Sequence, residues 1–350
     1  MGKPSVYFSY PGDLDTPTGG YHYDRRLIEE LGKLGIEIRP LSLPHCTLHT
    51  DSRVLRKIEN SFSIIPDGSV VIVDGLVFGV LGHLAKKEAH RMHLIALCHH
   101  PLSFETGLDK EERTELFESE KCALNHAKAI IVTSRNTRHI LIDEFSIEPE
   151  KIVVAVPGTD QVAQAPCNGN PIRLLTIASL IKRKAHDLLI NSLAELSSYN
   201  WQARFVGSNN FDCAWALKLE EQVQSFGLSE RIVFAGPVDN IQKEYYLADV
   251  FVLPSRFEGY GMVFAEALAA GLPVVAARAG AVPDVVPEGA GVLIPPDNVL
   301  ALTEALRQII TNRSYRNSLQ MGARQAGAAL PSWETAARIV ADEIQMLVTL

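Results

Sequence analysis

Short continuous apolar runs alternate with segments of helical spacing along the whole chain. The runs at 5–10 (SVYFSY), 69–75 (SVVIVDG), 93–100 (HLIALCHH) and 129–134 (AIIVTS) read as strands. Between them, 20–35 places Leu27, Leu31 and Leu34 on one helical face, and 111–127 repeats that spacing. Apolar strands separated by helices predict a parallel sheet covered on both faces. The stretch 161–171 (QVAQAPCNGNP) is small, polar and aperiodic, and reads as the region of an interdomain linker. A second series follows, with strands at 172–179, 202–208, 231–236, 249–255 and 272–277 and helices between them. The chain ends in helices at about 299–312 and 333–348. The expectation is an α/β protein of two doubly wound halves in tandem. In such sheets ligands bind outside the carboxyl ends of the strands, so two halves facing each other would make a cleft, and the chemistry is expected there.

At 350 residues, 47% hydrophobic and 21% charged, the chain has the composition of a soluble globular protein with room for two domains. The formal net charge of −8 gives no reason to expect a nucleic-acid partner. Five scattered cysteines (Cys46, Cys98, Cys122, Cys167, Cys213) include no CxxC pair, which suits a reducing cytoplasm. The N-terminal stretch MGKPSVYFSYPGD has no signal-peptide core, and Val6 breaks a myristoylation pattern.

The segment 257–275, FEGYGMVFAEALAAGLPVV, sets Glu258 and Glu266 eight positions apart in apolar surroundings. Acidic residues are seldom buried without partners. Gly259 and Gly261 permit a tight turn and close approach of a ligand to the backbone. A helix is predicted from near Met262 to Gly271, with its N-terminus suited to phosphate. Glu266 then falls about one turn inside, placed to accept from a ribose, while Glu258 reaches another part of the ligand. The plainer alternative has Glu266 pairing structurally and Glu258 solvated. A dinucleotide fingerprint, Gly259-x-Gly261-x-x-Phe264, is weak because the third position is bulky.

The segment from Val252 to Val286 resembles the signature of family-4 retaining glycosyltransferases, with their Glu-x7-Glu motif. TGG (18–20), VPGTD (156–160), RIVFAGPVD (231–239) and SWETAA (332–337) extend the resemblance over most of the chain. It implies the GT-B fold, two Rossmann-like domains facing a central cleft. The corresponding boundaries are 1–160 for an acceptor-side domain, 161–330 for a nucleotide-sugar-binding domain, and 331–350 for a helix packing back on the first. By resemblance, Glu266 binds the ribose and Glu258 sits at the transferred sugar. Gly259, Tyr260, Gly261, Met262 and Val263 contact phosphate and sugar, Val238 and Asp239 lie by the base, and Gly19 and Gly20 let the backbone approach donor or acceptor.

The family commonly carries an arginine and a lysine after the first strand of the second domain. Here Lys184 matches the lysine, but Ser179 stands at the arginine's place, with Lys182 and Arg183 as nearby cations. A charge run is usually a solvated face; this one follows a strand end, where phosphate is expected. His99 and His100 end another strand, and one of them, narrowly His99, resembles the family's cleft histidine. Asp13-x-Asp15 sits in a Pro/Gly loop, and the loop reading is preferred to a metal site. The basic segment 83–93 reads most simply as a solvated helix; family members with lipid acceptors use such faces to touch anionic membranes.

The resulting expectation is a cytoplasmic retaining glycosyltransferase that needs no metal or other cofactor. Its partners would be a nucleotide-sugar donor and a sugar, lipid or small-molecule acceptor, with peripheral contact at the inner membrane face left open. Glu258, His99, His100 and Lys184 are the catalytic candidates. A nucleotide-sugar-binding paralogue with impaired catalysis and a GT-B epimerase or phosphorylase are the alternatives.

Overall fold

The computed structural model describes residues 5–47, 49–105 and 107–349. The first four residues of the N-terminal stretch, and Leu350 of the expected 331–350 segment, lie outside them. The chain divides into two compact units: one runs to Gly158 and resumes at Pro331, the other is Thr159–Leu330. No helix among the described residues is long and apolar enough to cross a membrane.

In the first unit β1 (Val6–Pro11), β2 (Ile38–Leu43), β3 (Val70–Asp74), β4 (His93–Cys98), β5 (Ala129–Val132) and β6 (Ile152–Val154) form one sheet. It is parallel throughout, in the order β2-β1-β3-β4-β5-β6. β3 and β5 are buried along their whole length, which is why they read as unbroken apolar runs. β2 was not anticipated: Arg39, Pro40 and Ser42 are exposed on it, and proline is tolerated because the strand lies at the sheet edge. Strand order reverses between β1 and β3, opening a crevice at their carboxyl ends.

The helix Gly19–Lys33 fills the connection after β1, with Thr18 Oγ1 accepting from Tyr21 N at 3.3 Å. Gly19 and Gly20 are therefore the first helical residues. The helix Trp333–Thr349 belongs to this unit and docks on it through Trp333, whose ring lies 5.7 Å from His22 and 5.8 Å from Tyr23. The Arg26 guanidinium stands 5.0 Å from the same ring. A Cβ on Gly158 would lie 2.1 Å from Trp333 N, so the glycine of VPGTD admits the backbone of that helix. In the segment 83–93, the helix Gly82–Glu88 exposes His83, Lys86 and Lys87.

In the second unit β7 (Ile172–Ile177), β8 (Trp201–Val206), β9 (Ile232–Gly236), β10 (Val250–Leu253), β11 (Val274–Ala277) and β12 (Gly291–Ile294) make a second parallel sheet. Its order is β12-β11-β10-β7-β8-β9, with the reversal between β7 and β10. Trp201, Phe205, Leu189, Leu219, Leu302 and Ile309 belong to its buried core. The helix Arg313–Ala328 was not anticipated, because its sequence is mostly polar. It lies against the helix Met262–Ala269, where a Cβ on Gly327 would come within 2.2 Å of Leu268 O. The aperiodic stretch 161–171 has no regular structure but is tied to the same helix, Ala165 N donating to Ala270 O at 2.8 Å and Gln164 Nε2 to Ala269 O at 2.7 Å.

His186 opens the helix His186–Glu195 and is 1% exposed, its ring edge-on to Phe205 at 5.4 Å. Neither ring nitrogen has a hydrogen-bond partner among the described residues. Burial, aided by Lys184, lowers its pKa to about 3. The folded state thus binds fewer protons than the unfolded one from the ordinary histidine range down to about 3, so stability falls as pH falls through that window. Between pH 7 and 5 this one group should cost about 2 kcal/mol. Urea midpoints for the unmutated protein and His186→Leu should show that much less acid loss in the variant; equal losses would contradict the account.

Candidate functional site

The loops leaving β7 and β10 emerge side by side at the reversal of strand order. They are joined by a buried ion pair: Lys184 Nζ lies 2.7 Å from Glu258 Oε1 and 3.0 Å from Oε2. Arg183 Nη1 approaches Glu258 Oε2 at 3.5 Å and donates to Phe257 O at 3.0 Å. Glu258 is 5% exposed, so it is not solvated. Burial by itself would raise its pKa, but Lys184 and Arg183 outweigh that and hold it below the ordinary value. Two local features fix the cations. Ala185 adopts a left-handed conformation (φ +55°) that turns the chain from the 182–184 turn into the next helix. Arg256 then clamps the loops together, its N donating to Arg183 O at 2.8 Å and its Nη2 to Asp187 Oδ2 at 2.9 Å.

Glu258 itself is set by glycines. Ala281 N donates to Glu258 O at 2.9 Å, and a Cβ on Gly280 (φ +56°) would lie 2.1 Å from that oxygen. Gly261 (φ +86°) begins the helix Met262–Ala269, and a Cβ there would lie 2.5 Å from Phe264 Cδ2. No side chain caps this helix start. Gly259 is not in the positive-φ region, so of the two expected turn glycines only Gly261 has that conformational need.

Met262 and Val263 open the helix, half-buried, and Glu266 follows one turn in. Tyr245 OH donates to Glu266 Oε2 at 2.7 Å. Burial raises the Glu266 pKa, the Tyr245 hydrogen bond opposes this, and Asp160 adds to the rise. Tyr260 is buried, and its pKa is pushed up to about 12 by burial and Asp284. Ser179 is half-buried in the loop after β7, beside Gly207, where a Cβ would lie 2.0 Å from Ala178 O and 3.0 Å from Ser179 N. Val238 and Asp239 lie after β9, Val238 half-buried and Asp239 exposed. A separate depression of about 460 Å³ lies over β7–β9, lined by residues including Arg173, Arg204, Val233 and Leu247; it is not at these strand ends.

In the first unit His99 follows β4 and points Nε2 at Asp24 Oδ1 (3.1 Å) and Asp74 Oδ2 (3.4 Å). Burial would lower its pKa, but the two carboxylates raise it well above the ordinary value. Tyr23 stands edge-on to the ring at 5.4 Å. Gly20 lies beside the imidazole, where a Cβ would make an ordinary contact with His99 Cδ2 at 3.4 Å; Gly19 is exposed. His100 turns elsewhere, Nε2 lying 2.9 Å from Glu105 Oε2. Asp13 and Asp15 are exposed in a local turn, Asp15 N donating to Asp13 Oδ1 at 2.9 Å. The only metal-compatible grouping of acids and histidines among the described residues is Asp24, Asp74 and His99, whose contacts have hydrogen-bond lengths.

Three participants escaped the reading of the sequence. Tyr245 lies on a short helix and meets Glu266 only in the fold. Asp24 sits on the apolar face of the first helix, three positions before Leu27, and Asp74 ends an apolar strand. An acid at such positions was the available signal.

Comparison with known proteins supplies a context. The model for Glycosyltransferase Family 4 matches residues 19–161, and that for Glycosyl transferases group 1 matches residues 159–326. A relative from Kineococcus radiotolerans, named D-inositol 3-phosphate glycosyltransferase, is 29% identical over 270 residues. That alignment covers 69% of this chain and 61% of the relative, so the chain spans about three fifths of that protein's length. Sucrose-phosphate synthase of Thermosynechococcus elongatus superposes with a TM-score of 0.84 at 21% identity, covering 99% of both chains. Anabaena HepE, solved in complex with UDP and glucose, superposes at 0.77 and 17% identity, covering 98% of this chain and 99% of its own. These structural likenesses show the fold.

The Tyr245–Glu266 bond yields a prediction about stability. Tyr245→Phe should lower it by ~1–3 kcal/mol at neutral pH, because Glu266 loses its donor while remaining in its pocket. The folded pKa of Glu266 already lies above its unfolded value, so its ionisation costs stability as pH rises. The variant should therefore lose more stability between pH 5 and pH 8 than the unmutated protein. Urea unfolding at the two pH values checks this, and an unchanged pH dependence would contradict it.

Proposed function

The chain belongs to the family-4 type of glycosyltransferases, and on that footing we propose that it moves a sugar from a nucleotide-sugar donor to an acceptor, retaining the anomeric configuration and using no metal. The observation that carries this reading is the Lys184–Glu258 pair at the strand-order reversal of the second unit, beside the uncapped start of the helix Met262–Ala269. The second unit takes the donor. Lys184, Arg183 and the amides of Met262 and Val263 face the diphosphate, as preorganised positive charge that needs no reorganisation during reaction. Glu266 accepts from the ribose, Val238 and Asp239 flank the base, and Tyr260 with Gly259 and Gly261 shapes the loop. Glu258 meets the transferred sugar. The Anabaena protein's complex with UDP and glucose supports a nucleotide-sugar donor. The acceptor, a sugar, a lipid-linked group or a small molecule, belongs to the first unit, which contributes Gly19, Gly20, His99 and His100.

The bond between the anomeric carbon and the leaving phosphate oxygen breaks, and positive charge grows on the sugar as negative charge grows on the diphosphate. Lys184 and Arg183 stabilise the latter. Glu258 is committed to Lys184 and is a poor covalent nucleophile, which supports attack by the acceptor hydroxyl on the face the phosphate leaves. The hydroxyl proton passes to the leaving diphosphate, and the new C–O bond retains configuration. Ser179, where the family has an arginine, motivates a second reading as a binding paralogue with impaired transfer. Arg183, close to Glu258, supplies a second cation and favours the active reading.

Lys184→Ala should reduce donor turnover at least tenfold, the loss of a charge-assisted contact of ~1.5–3 kcal/mol. Glu266→Ala should weaken nucleoside binding by ~1–3 kcal/mol. Full turnover in Lys184→Ala, measured as donor hydrolysis, would remove the pair from the chemistry. Turnover should also survive EDTA; loss restored by magnesium or manganese would refute the metal-independent mechanism.

A further inference from the structure

Two buried carboxylates meet His99 inside the first unit, and the transfer chemistry above accounts only for the imidazole. Asp24 is 0% and Asp74 1% exposed. Asp24 Oδ1 faces His99 Nε2, and Asp74 Oδ1 accepts from Leu76 N at 2.7 Å. Asp24 Oδ2 is buried with no hydrogen-bond partner of good geometry among the described residues, Asp74 Oδ2 has only the 3.4 Å approach of His99 Nε2, and one oxygen of each acid and His99 Nε2 all lie within 4.8 Å of one another. Two acceptor-only groups at such contact, with one imidazole between them, leave an excess negative charge out of water, which is costly. The titratable groups whose pKa values Asp24 and Asp74 are seen to raise are Tyr21, Tyr23, Cys46 and Cys98. All four have pKa values raised by burial, none is a cation, and none offsets the charge.

We propose that Asp24 and Asp74 share one proton as a carboxylic acid–carboxylate pair, and that this pair holds His99 as an imidazolium with Nε2–H turned inward. His99 then serves the site as a fixed positive charge and hydrogen-bond donor, and it is closed to use as a general base at neutral pH. The charges balance: one carboxylate against one imidazolium, with the second carboxyl neutral. Burial raises the Asp24 pKa, His99 opposes the rise and Asp74 adds to it, and the balance is a carboxyl pushed up to about 7, in the direction the shared proton requires. Asp24 and Asp74 are positioning residues, acting through His99. The consequence for turnover rests on the transfer reading; the protonation state of the trio does not.

Nitrogen-resolved NMR of the full chain labelled in its 11 histidines tests this, with His99 assigned through His99→Gln. In the unmutated protein His99 should remain an imidazolium to at least about pH 8, against about 6.5 for an ordinary histidine. In Asp24→Asn the midpoint should fall by about one unit or more. Donor turnover should be flat through neutral pH in the unmutated protein. In Asp24→Asn it should gain an alkaline limb in kcat that follows the new midpoint, with KM for the donor changed less than about twofold. A His99 midpoint near the ordinary value in the unmutated protein would overturn the proposal, and this holds even if Asp24→Asn does not fold. So would EDTA-sensitive His99 signals restored by zinc or manganese, which would make the trio a metal site. A persistent imidazolium in a protein that turns over no donor would uphold the pair and refute the transfer reading.

Discussion

A carboxylate taken out of water has to be paid for, and at Glu258 the means are visible. The group is 5% exposed and is held ionised by Lys184 and Arg183, which approach from a loop 74 positions earlier in the chain. Breaking such a pair strands a buried charge, at a typical cost of about 3–5 kcal/mol. The pair therefore fixes the loops after β7 and β10 relative to one another. Much of the second unit is arranged around that requirement. Arg256 clamps the 182–184 turn, the left-handed Ala185 redirects the chain, and Gly280 admits the carbonyl of Glu258.

The same carboxyl-end geometry recurs in the first unit with different chemistry. The strand order again reverses next to the first strand, and the residues gathered there are an imidazole and two acids rather than cations and one acid. In the second unit a glycine gives a neighbour its room, Gly261 beside Phe264. The helix Met262–Ala269 also depends on close backbone approach, since Gly327 lets the helix Arg313–Ala328 rest against Leu268 O. Its C-terminal end is tied by Gln164 and Ala165. Rigid support of this kind is what a site working by preorganised charge needs.

The sheets were legible where burial on both faces leaves an unbroken apolar run, as in β3, β4, β5 and β10. Of the edge strands, β9 was legible and three were not: β2 carries Pro40, β6 has only three residues, and β12 is half-buried over three of its four positions. The helix Arg313–Ala328 escaped notice because its buried face is Arg316, Leu319, Gln320, Ala323 and Gly327, with one large apolar residue rather than a stripe of them. In the site, the spacing of Glu258, Gly261 and Glu266 marked one loop and helix start. Their partners were hidden because pairing is a property of the fold: Lys184 and Tyr245 reach the two glutamates across 74 and 21 positions. The Asp24–Asp74–His99 trio draws on three separate elements and left only the local trace of acids at apolar positions.

The central claim is that Lys184, Arg183 and the start of the helix Met262–Ala269 form a diphosphate site. Calorimetric titration of the unmutated protein with a nucleoside and with its diphosphate, at equal ionic strength, tests it most directly. For UDP, GDP or ADP, whichever binds, the diphosphate should bind on the order of tenfold to a hundredfold more tightly than its nucleoside, one charge-assisted contact being worth ~1.5–3 kcal/mol. Equal affinities would contradict the account at its centre.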